Sequence, residues 1–77
     1  MKAYECTYYG TRCFVGAATP SKAKQIINLA VRDVFEDWEA WTKIKVKRAP
    51  QFDAWAQTKD ARTPTDPEYM PKAEATQ

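Results

Sequence analysis

The alternation of basic and β-branched residues over residues 42–48 (TKIKVKR) constrains the fold of this 77-residue chain more than any other feature. A period of two is typical of a half-buried β-strand, because successive side chains of a strand point to opposite faces of the sheet. The pattern therefore predicts a strand that places Ile44 and Val46 in a core and ends before Pro50. The opposite, solvated face of this strand would carry a row of lysines, Lys43, Lys45 and Lys47, and Arg48 ends the row.

Two earlier strands are predicted over residues 2–9 and 12–17, joined by a hairpin turn at Gly10. Their alternation assigns one set of side chains to the core face: Tyr4, Cys6, Tyr8, Cys13, Val15 and Ala17. The other face then carries a mixed set: Glu5, Thr7, Tyr9, Arg12 and Phe14.

The sequence is compatible with two registers of this hairpin. A two-residue loop of Gly10 and Thr11, as in a type II′ turn, places Tyr8 opposite Cys13. A four-residue loop beginning at Tyr8 places Cys6 directly opposite Cys13. Both registers keep the same residues on the core face, so the pattern does not distinguish them.

A helix is predicted to begin at Pro20, because Thr19 is a good N-cap and proline is well tolerated at the first helical position. The helix is expected to end between residues 36 and 40. Its apolar stripe has helical spacing: Ala23, Ile26, Ile27, Ala30, Val31, Val34 and Trp38.

The element order β-β-α-β predicts an α+β fold with a single domain over residues 1–56. In this ββαβ domain the third strand pairs beside the first, giving an antiparallel three-stranded sheet of order 2-1-3 with the helix packed on one face. Residues 57–77 are rich in proline and threonine and show no periodicity, which predicts an extended or disordered tail.

The uncovered sheet face is the candidate partner-binding surface. The chain has a net charge of +2, and residues 1–56 carry nine basic side chains against six acidic ones. The predicted contact residues combine cations with aromatic rings: Lys43, Lys45, Lys47, Arg48, Arg12, Tyr9 and Phe14. This mixture suits single-stranded nucleic acid or an acidic protein surface, and an ordinary solvated sheet face is the simpler alternative. Arg48 and Asp53 could instead form a pair that clamps the chain after the strand.

The composition argues against enzymatic activity. The chain has no histidine, two cysteines and only two glycines, so it lacks the usual general base, a zinc ligand set and a phosphate-binding loop. We therefore expect no catalytic residue, no metal and no cofactor. No apolar run is long enough to span a membrane and no leader peptide is evident, so a cytoplasmic location with reduced thiols is expected.

Two segments carry a family resemblance. The stretch AATPSKAK at residues 17–24 and the motif IKVKRAPQFD at residues 44–53 resemble a helix start and a closing motif of small bacteriophage and prophage proteins. With the N-terminal KAYEC strand, the likeness covers about residues 2–53. In size and ββαβ plan the chain also resembles some anti-CRISPR proteins, which disable CRISPR-Cas complexes by tight stoichiometric binding.

This resemblance implies a phage-encoded inhibitor in the cytoplasm of an infected or lysogenic bacterium. It implies no cofactor, no catalysis and a protein partner, most often at the nucleic-acid-binding channel of a CRISPR-Cas complex. The class shares no motif, so it assigns no individual residue. The alternative is a small phage nucleic-acid-binding or regulatory protein that uses the same face, and a virion or accessory protein without an inhibitory role is a third possibility. Either a monomer or a homodimer is compatible with three tryptophans in so short a chain.

Overall fold

The structure is a computed structural model that describes residues 1–36 and 38–70. It confirms the α+β fold: an antiparallel sheet of order β2-β1-β3 with one main helix. Its strands and α-helices are β1 (Lys2–Tyr8), β2 (Thr11–Ala17), α1 (Pro20–Phe35), α2 (Ala40–Lys43) and β3 (Lys45–Arg48). Four short 3-10 turns follow β3: Pro50–Phe52, Trp55–Gln57, Lys59–Arg62 and Pro67–Tyr69.

The hairpin adopts the register in which Cys6 lies directly opposite Cys13. Its loop is shorter than the four residues expected for that register, since Tyr8 pairs with Thr11 and only Tyr9 and Gly10 remain in the turn. Both turn residues have positive φ angles, 50° and 80°, which is the signature of a type I′ turn. The predicted type II′ turn with Gly10 first is therefore wrong, because Tyr9 takes the left-handed conformation usually left to Gly, Asn or Asp.

Helix α1 begins as predicted. The Thr19 side-chain oxygen accepts a hydrogen bond from the Lys22 backbone N–H at 3.2 Å, and Pro20 is the first helical residue. The helix ends when Glu36 enters the left-handed region and donates its N–H to the carbonyl of Arg32.

The apolar stripe of α1 is buried only over its first three turns. Ala23 and Ile27 are fully buried, and Ile26 and Val31 pack against them. Two predicted stripe residues are solvent-exposed instead: Val34 and Trp38. The last turn lies over the hairpin turn, where the sheet beneath it ends, and Trp38 follows the end of the helix.

The lysine-rich segment is only partly a strand. Residues 40–43 form the short helix α2, which ends when the Ile44 N–H bonds to the Ala40 carbonyl at 3.1 Å. The prediction that Lys43 belongs to the same strand as Lys45 and Lys47 is therefore wrong. Ile44 is buried and Val46 half-buried beneath α1, as the alternation predicts.

The second face of the sheet is not uncovered. Residues 57–70 run as an extended segment of short 3-10 turns, and together with residues 50–56 they pack across the half of this face that lies furthest from the hairpin turn. Thr65 and Phe14 exchange both backbone hydrogen bonds, at 2.8 and 2.9 Å, on the outer edge of β2. A second apolar cluster results: Ala3, Phe14, Ala49, Ala56, Phe52, Trp55 and Met70. Residues 71–77 of the predicted tail lie outside the described residues.

Gly16 is required where this segment crosses β2. A Cβ atom at this position would lie 2.9 Å from both the Ala56 carbonyl oxygen and the Ala61 Cβ.

Gly16→Ala should therefore lower the free energy of unfolding by about 1–3 kcal/mol, through overpacking. Urea denaturation of four proteins tests this: wild type, Gly16→Ala, Ala61→Gly and the double variant. Because Ala61→Gly removes one of the two clashes, the double variant should lose less stability than the two single losses combined; strict additivity would contradict this account.

Candidate functional site

The fold places the residues of the predicted basic-aromatic face on different parts of the molecule. Lys45 lies opposite Thr7 in the β1–β3 register, and Thr7 lies opposite Arg12 in the hairpin. Lys47 lies opposite Glu5 in the neighbouring row. All three cations are exposed, and we call the part of the second sheet face that they occupy the exposed half-face. Arg12 and Lys45 lie in the row nearer the hairpin turn, and Lys47 lies in the following row, whose β2 residue is the covered Phe14.

The net charge of this exposed half-face comes from two lysines. Arg12 donates a hydrogen bond to the Glu5 carboxylate at 2.9 Å, so these two charges offset one another. Neither Lys45 nor Lys47 forms an ion pair with any residue in the described part of the chain. The result is a small patch of two unpaired positive charges, held about 7 Å apart by the strand.

Tyr9 and Lys43 lie on the helix side of the hairpin turn instead. The Lys43 ammonium is 5.4 Å from the centroid of the Tyr9 ring, and that ring packs edge-on against Tyr8 at 4.6 Å. Lys43 therefore does not extend the row formed by Lys45 and Lys47.

Phe14 is not available to a partner. Its side chain is 5% exposed and packs edge-on against Phe52, with 5.0 Å between ring centroids. The prediction that it contributes to the binding surface is wrong, because the segment after residue 50 covers it.

Arg48 forms the clamp that its spacing from Asp53 suggested. Its guanidinium makes two hydrogen bonds to the Asp53 carboxylate, at 2.7 and 2.8 Å, and a third to the Ala3 carbonyl at 3.1 Å. Asp53 in turn accepts the Ala3 backbone N–H at 2.9 Å. Arg48 thus fixes the path of the chain after β3, and most of its hydrogen-bonding capacity is used within the molecule.

The clamp makes stability depend on pH in the acid range. Hydrogen bonds from Arg48, and secondly from Ala3, hold the pKa of Asp53 well below its ordinary value of 3.8. A depressed folded-state pKa gives stability that is present above about pH 4 and is lost as the pH falls towards the folded-state pKa. Asp53→Asn, which keeps an acceptor for Ala3, should lower stability at pH 7 and reduce the further loss between pH 5 and pH 2.

Urea denaturation at several pH values measures this effect. Asp60→Asn is the matched control, since Asp60 is exposed and its side chain makes no ion pair with a described residue. If the free energy of unfolding falls as steeply between pH 5 and pH 2 in Asp53→Asn as in wild type, then protonation of Asp53 is not coupled to unfolding.

An exposed apolar surface at the hairpin end is the feature that sequence analysis missed. We call it the hairpin-end patch: Tyr9, Val34, Phe35 and Trp38, which are 63–75% exposed. Two of its members, Tyr9 and Phe35, line a cleft of about 600 Å³ between the hairpin and the second half of α1. The full lining is Tyr8, Tyr9, Thr11, Cys13, Ile27, Val31, Phe35 and Glu36. The signal for it is the continuation of the apolar stripe of α1 beyond the point where a seven-residue strand can cover it.

Three exposed rings carry a cation on one face. Arg32 lies 4.6 Å from the Trp38 ring centroid, and Lys24 lies 4.8 Å from that of Trp41. Lys43 covers Tyr9 in the same way. These cation–π contacts hold the rings in place and leave one ring face, or the ring edges, open to a partner.

The two cysteines are free thiols that face one another across β1 and β2. Burial, and secondly the neighbouring Cys13, raises the pKa of Cys6 to about 12. Burial also raises the pKa of Cys13 to about 11. Both groups are therefore thiols rather than nucleophilic thiolates near neutral pH.

Alkylation by iodoacetamide at pH 8 should be slow for both cysteines. With a pKa near 11, the thiolate fraction of Cys13 is about 100-fold below that of an ordinary cysteine, and that of the more buried Cys6 is lower still. Mass spectrometry of the native protein should show Cys13 modified first, and both sites fast in guanidinium chloride. Rapid native labelling of Cys6 would contradict the buried environment assigned to it.

Comparisons with protein families, with curated proteins and with solved structures found no match to this chain. Within residues 1–36 and 38–70, no helix has the length and apolar character needed to cross a membrane. The same residues contain no cluster of three potential metal ligands.

Proposed function

We propose that this chain is a phage-encoded, non-enzymatic inhibitor that binds a bacterial defence complex of the CRISPR-Cas type. The observation that carries the proposal is the hairpin-end patch: four large apolar side chains that are mostly exposed, two of which, Tyr9 and Phe35, line an apolar cleft. Monomeric proteins rarely leave such side chains clustered in water, and clustered aromatics are the usual anchors of protein interfaces.

The placement of the aromatic rings favours a protein partner over nucleic acid. Binding of single strands relies on rings that stack on bases beside cations that follow the phosphates. Here the exposed half-face with Lys45 and Lys47 has lost Phe14 to the core, and Tyr9 lies on the helix side. Lys45 and Lys47 therefore have no exposed ring beside them, and the exposed rings of Tyr9, Trp38 and Trp41 each have one face covered by another cation. This arrangement fits a protein interface with an apolar centre and a charged rim better than a surface that stacks on bases.

The inhibitory role draws on the resemblance to phage proteins and to anti-CRISPR proteins. In this mechanism the hairpin-end patch supplies the apolar area that is buried on binding. The buried Phe14, which was predicted as a contact residue, does not contribute to it. Lys43, Lys45 and Lys47 accelerate encounter with an acidic or mixed-charge surface of the complex. Inhibition follows from occlusion, since the bound protein occupies space that the complex needs for nucleic acid.

Nucleic-acid binding is the second candidate, supported by one observation. Lys45, Lys47 and Arg12 lie on a single exposed half-face, where they could contact consecutive phosphates. Such binding would weaken steeply as salt concentration rises, because each phosphate contact releases counterions.

Phage plating on bacteria with active CRISPR-Cas immunity tests the first candidate. Expression of the chain should restore plaque formation in at least one strain of a panel that covers the different CRISPR-Cas types. The double variant Phe35→Ala/Trp38→Ala should bind its target at least about 10-fold more weakly, because each truncated anchor typically costs 1–2 kcal/mol. Leu29→Ala is the matched control, since Leu29 is 61% exposed on the opposite side of α1.

Two results would contradict the proposal. Failure of the wild-type protein to protect phage in any strain of the panel would remove the inhibitory role. Full protection by Phe35→Ala/Trp38→Ala would remove the hairpin-end patch from the mechanism. Salt-sensitive binding of the purified protein to labelled single-stranded DNA would then support the second candidate.

A further inference from the structure

Strand β3 is an edge strand whose outer side pairs with no described residue. It is the last strand in the order β2-β1-β3. The Ala49 N–H bonds to the Ala3 carbonyl at 3.0 Å, so Ala49 directs its N–H towards β1. Backbone groups alternate in direction along a strand, so Lys45 and Lys47 also face β1, while Val46 and Arg48 direct their N–H and C=O groups outward.

This open edge is held in an extended conformation. The Arg48 side chain is fixed by its two hydrogen bonds to Asp53, and the pairing of Cys6 with Val46 holds the middle of the strand. An incoming strand would therefore meet preformed donors and acceptors and would not have to order β3 itself.

The two sides of β3 would select opposite kinds of side chain from an incoming strand. Val46 is half-buried on the α1 side and packs against the main core. Lys45 and Lys47 are exposed on the other side and form no ion pair with a described residue. A complementary strand therefore carries an apolar residue opposite Val46 and acidic residues opposite the two lysines.

A second copy of the chain does not satisfy this requirement. Antiparallel pairing of β3 with β3 of another copy would place Lys45 and Lys47 opposite lysines of the same sign. Like charges directly opposite one another destabilise a strand pair. The edge thus disfavours self-association and favours a partner of opposite charge.

We propose that the outer edge of β3 is a docking site for an extended acidic segment of a partner protein, which adds to the sheet as a fourth, antiparallel strand. Its acidic residues lie opposite Lys45 and Lys47 in non-hydrogen-bonded pairs, where side chains approach most closely. Its apolar residue exchanges hydrogen bonds with Val46. This site stands apart from the hairpin-end patch and does not depend on which complex the protein inhibits.

A synthetic seven-residue peptide in which Glu and Val alternate is the probe. Its binding to the full chain should be measured by fluorescence anisotropy, beside a matched peptide in which Lys and Val alternate. The acidic peptide should bind at least about 10-fold more tightly, because each Glu–Lys pair replaces a Lys–Lys repulsion. Bound peptide should also slow hydrogen exchange of the Val46 amide, which donates no hydrogen bond to a described residue in the free protein.

N-methylation of the peptide separates strand pairing from simple charge attraction. Only the Val amides of the peptide face β3 when its Glu side chains lie on the lysine side. Methyl groups on the Val amides should weaken binding about 10-fold or more, whereas methyl groups on the Glu amides should change it about twofold at most.

Two charge-reversal variants of the protein, one within β3 and one outside it, form a matched pair. Lys45→Glu/Lys47→Glu should reverse the preference, so that the Lys–Val peptide binds better than the Glu–Val peptide. Lys22→Glu/Lys59→Glu makes the same change in net charge at exposed sites outside β3 and should leave the preference unchanged.

Two outcomes would overturn the proposal. Equal binding of the two methylated peptides would mean that the lysines attract acidic chains without strand addition. No binding of the acidic peptide at low salt would mean that the edge lysines serve only to keep copies of the chain apart. Neither result depends on the phage plating experiment, so the docking site and the inhibitory role fail or stand separately.

Discussion

The structure depends on the point where Arg48, Asp53 and Ala3 meet. The carboxylate of Asp53 joins the guanidinium of Arg48 to the backbone N–H of Ala3, and Arg48 also reaches the Ala3 carbonyl. This arrangement ties the end of β3 to the start of β1 and turns the chain back across the sheet. Because the turn is fixed there, residues 50–70 cover the half of the second face that contains Ala3 and Phe14, and they leave the half near the hairpin exposed.

The position of that cover determines which surfaces remain for binding. Strand β1 is central and is covered on both faces, with Cys6 beneath α1 and Ala3 beneath the C-terminal segment. The exposed features lie at the margins: the hairpin end, the half-face with Lys45 and Lys47, and the outer edge of β3. A core this small is covered by single elements, so the candidate binding features lie at the rim of a small sheet that is covered on both faces.

Local signals in the sequence were sufficient for the three strands, the main helix and their order. Thr19 and Pro20 determine where α1 begins, since capping involves only neighbouring residues. Period-two alternation correctly placed Ile44 and Val46 beneath the helix, and the element order β-β-α-β with the helix on one face correctly placed β3 beside β1. These features depend on residues that are close in sequence or on topological rules with few alternatives.

The errors concern contacts between residues that are far apart in sequence. Phe14 is buried by residues 52–70, and that segment has no periodicity from which its path could be predicted. The hairpin register depends on Tyr9 accepting a left-handed conformation, and the ring contacts with Tyr8 and Lys43 help to offset the strain. Lys43 is the last residue of the short helix α2 rather than part of the strand, because the Ile44 N–H bonds back to the Ala40 carbonyl.

The division of the predicted binding face is therefore a consequence of packing rather than of local pattern. An exposed Phe14 beside the lysines would have formed a stacking surface of the kind that binds bases. Its burial supplies apolar area to a sheet too small to be stabilised from one side alone, and leaves the lysines on a face without an exposed ring. The same lysines flank the unpaired edge of β3, where their charge opposes pairing between copies and favours an acidic strand. Stability and partner selection are thus linked, because the segment that completes the core also decides which chemistry the exposed cations can offer.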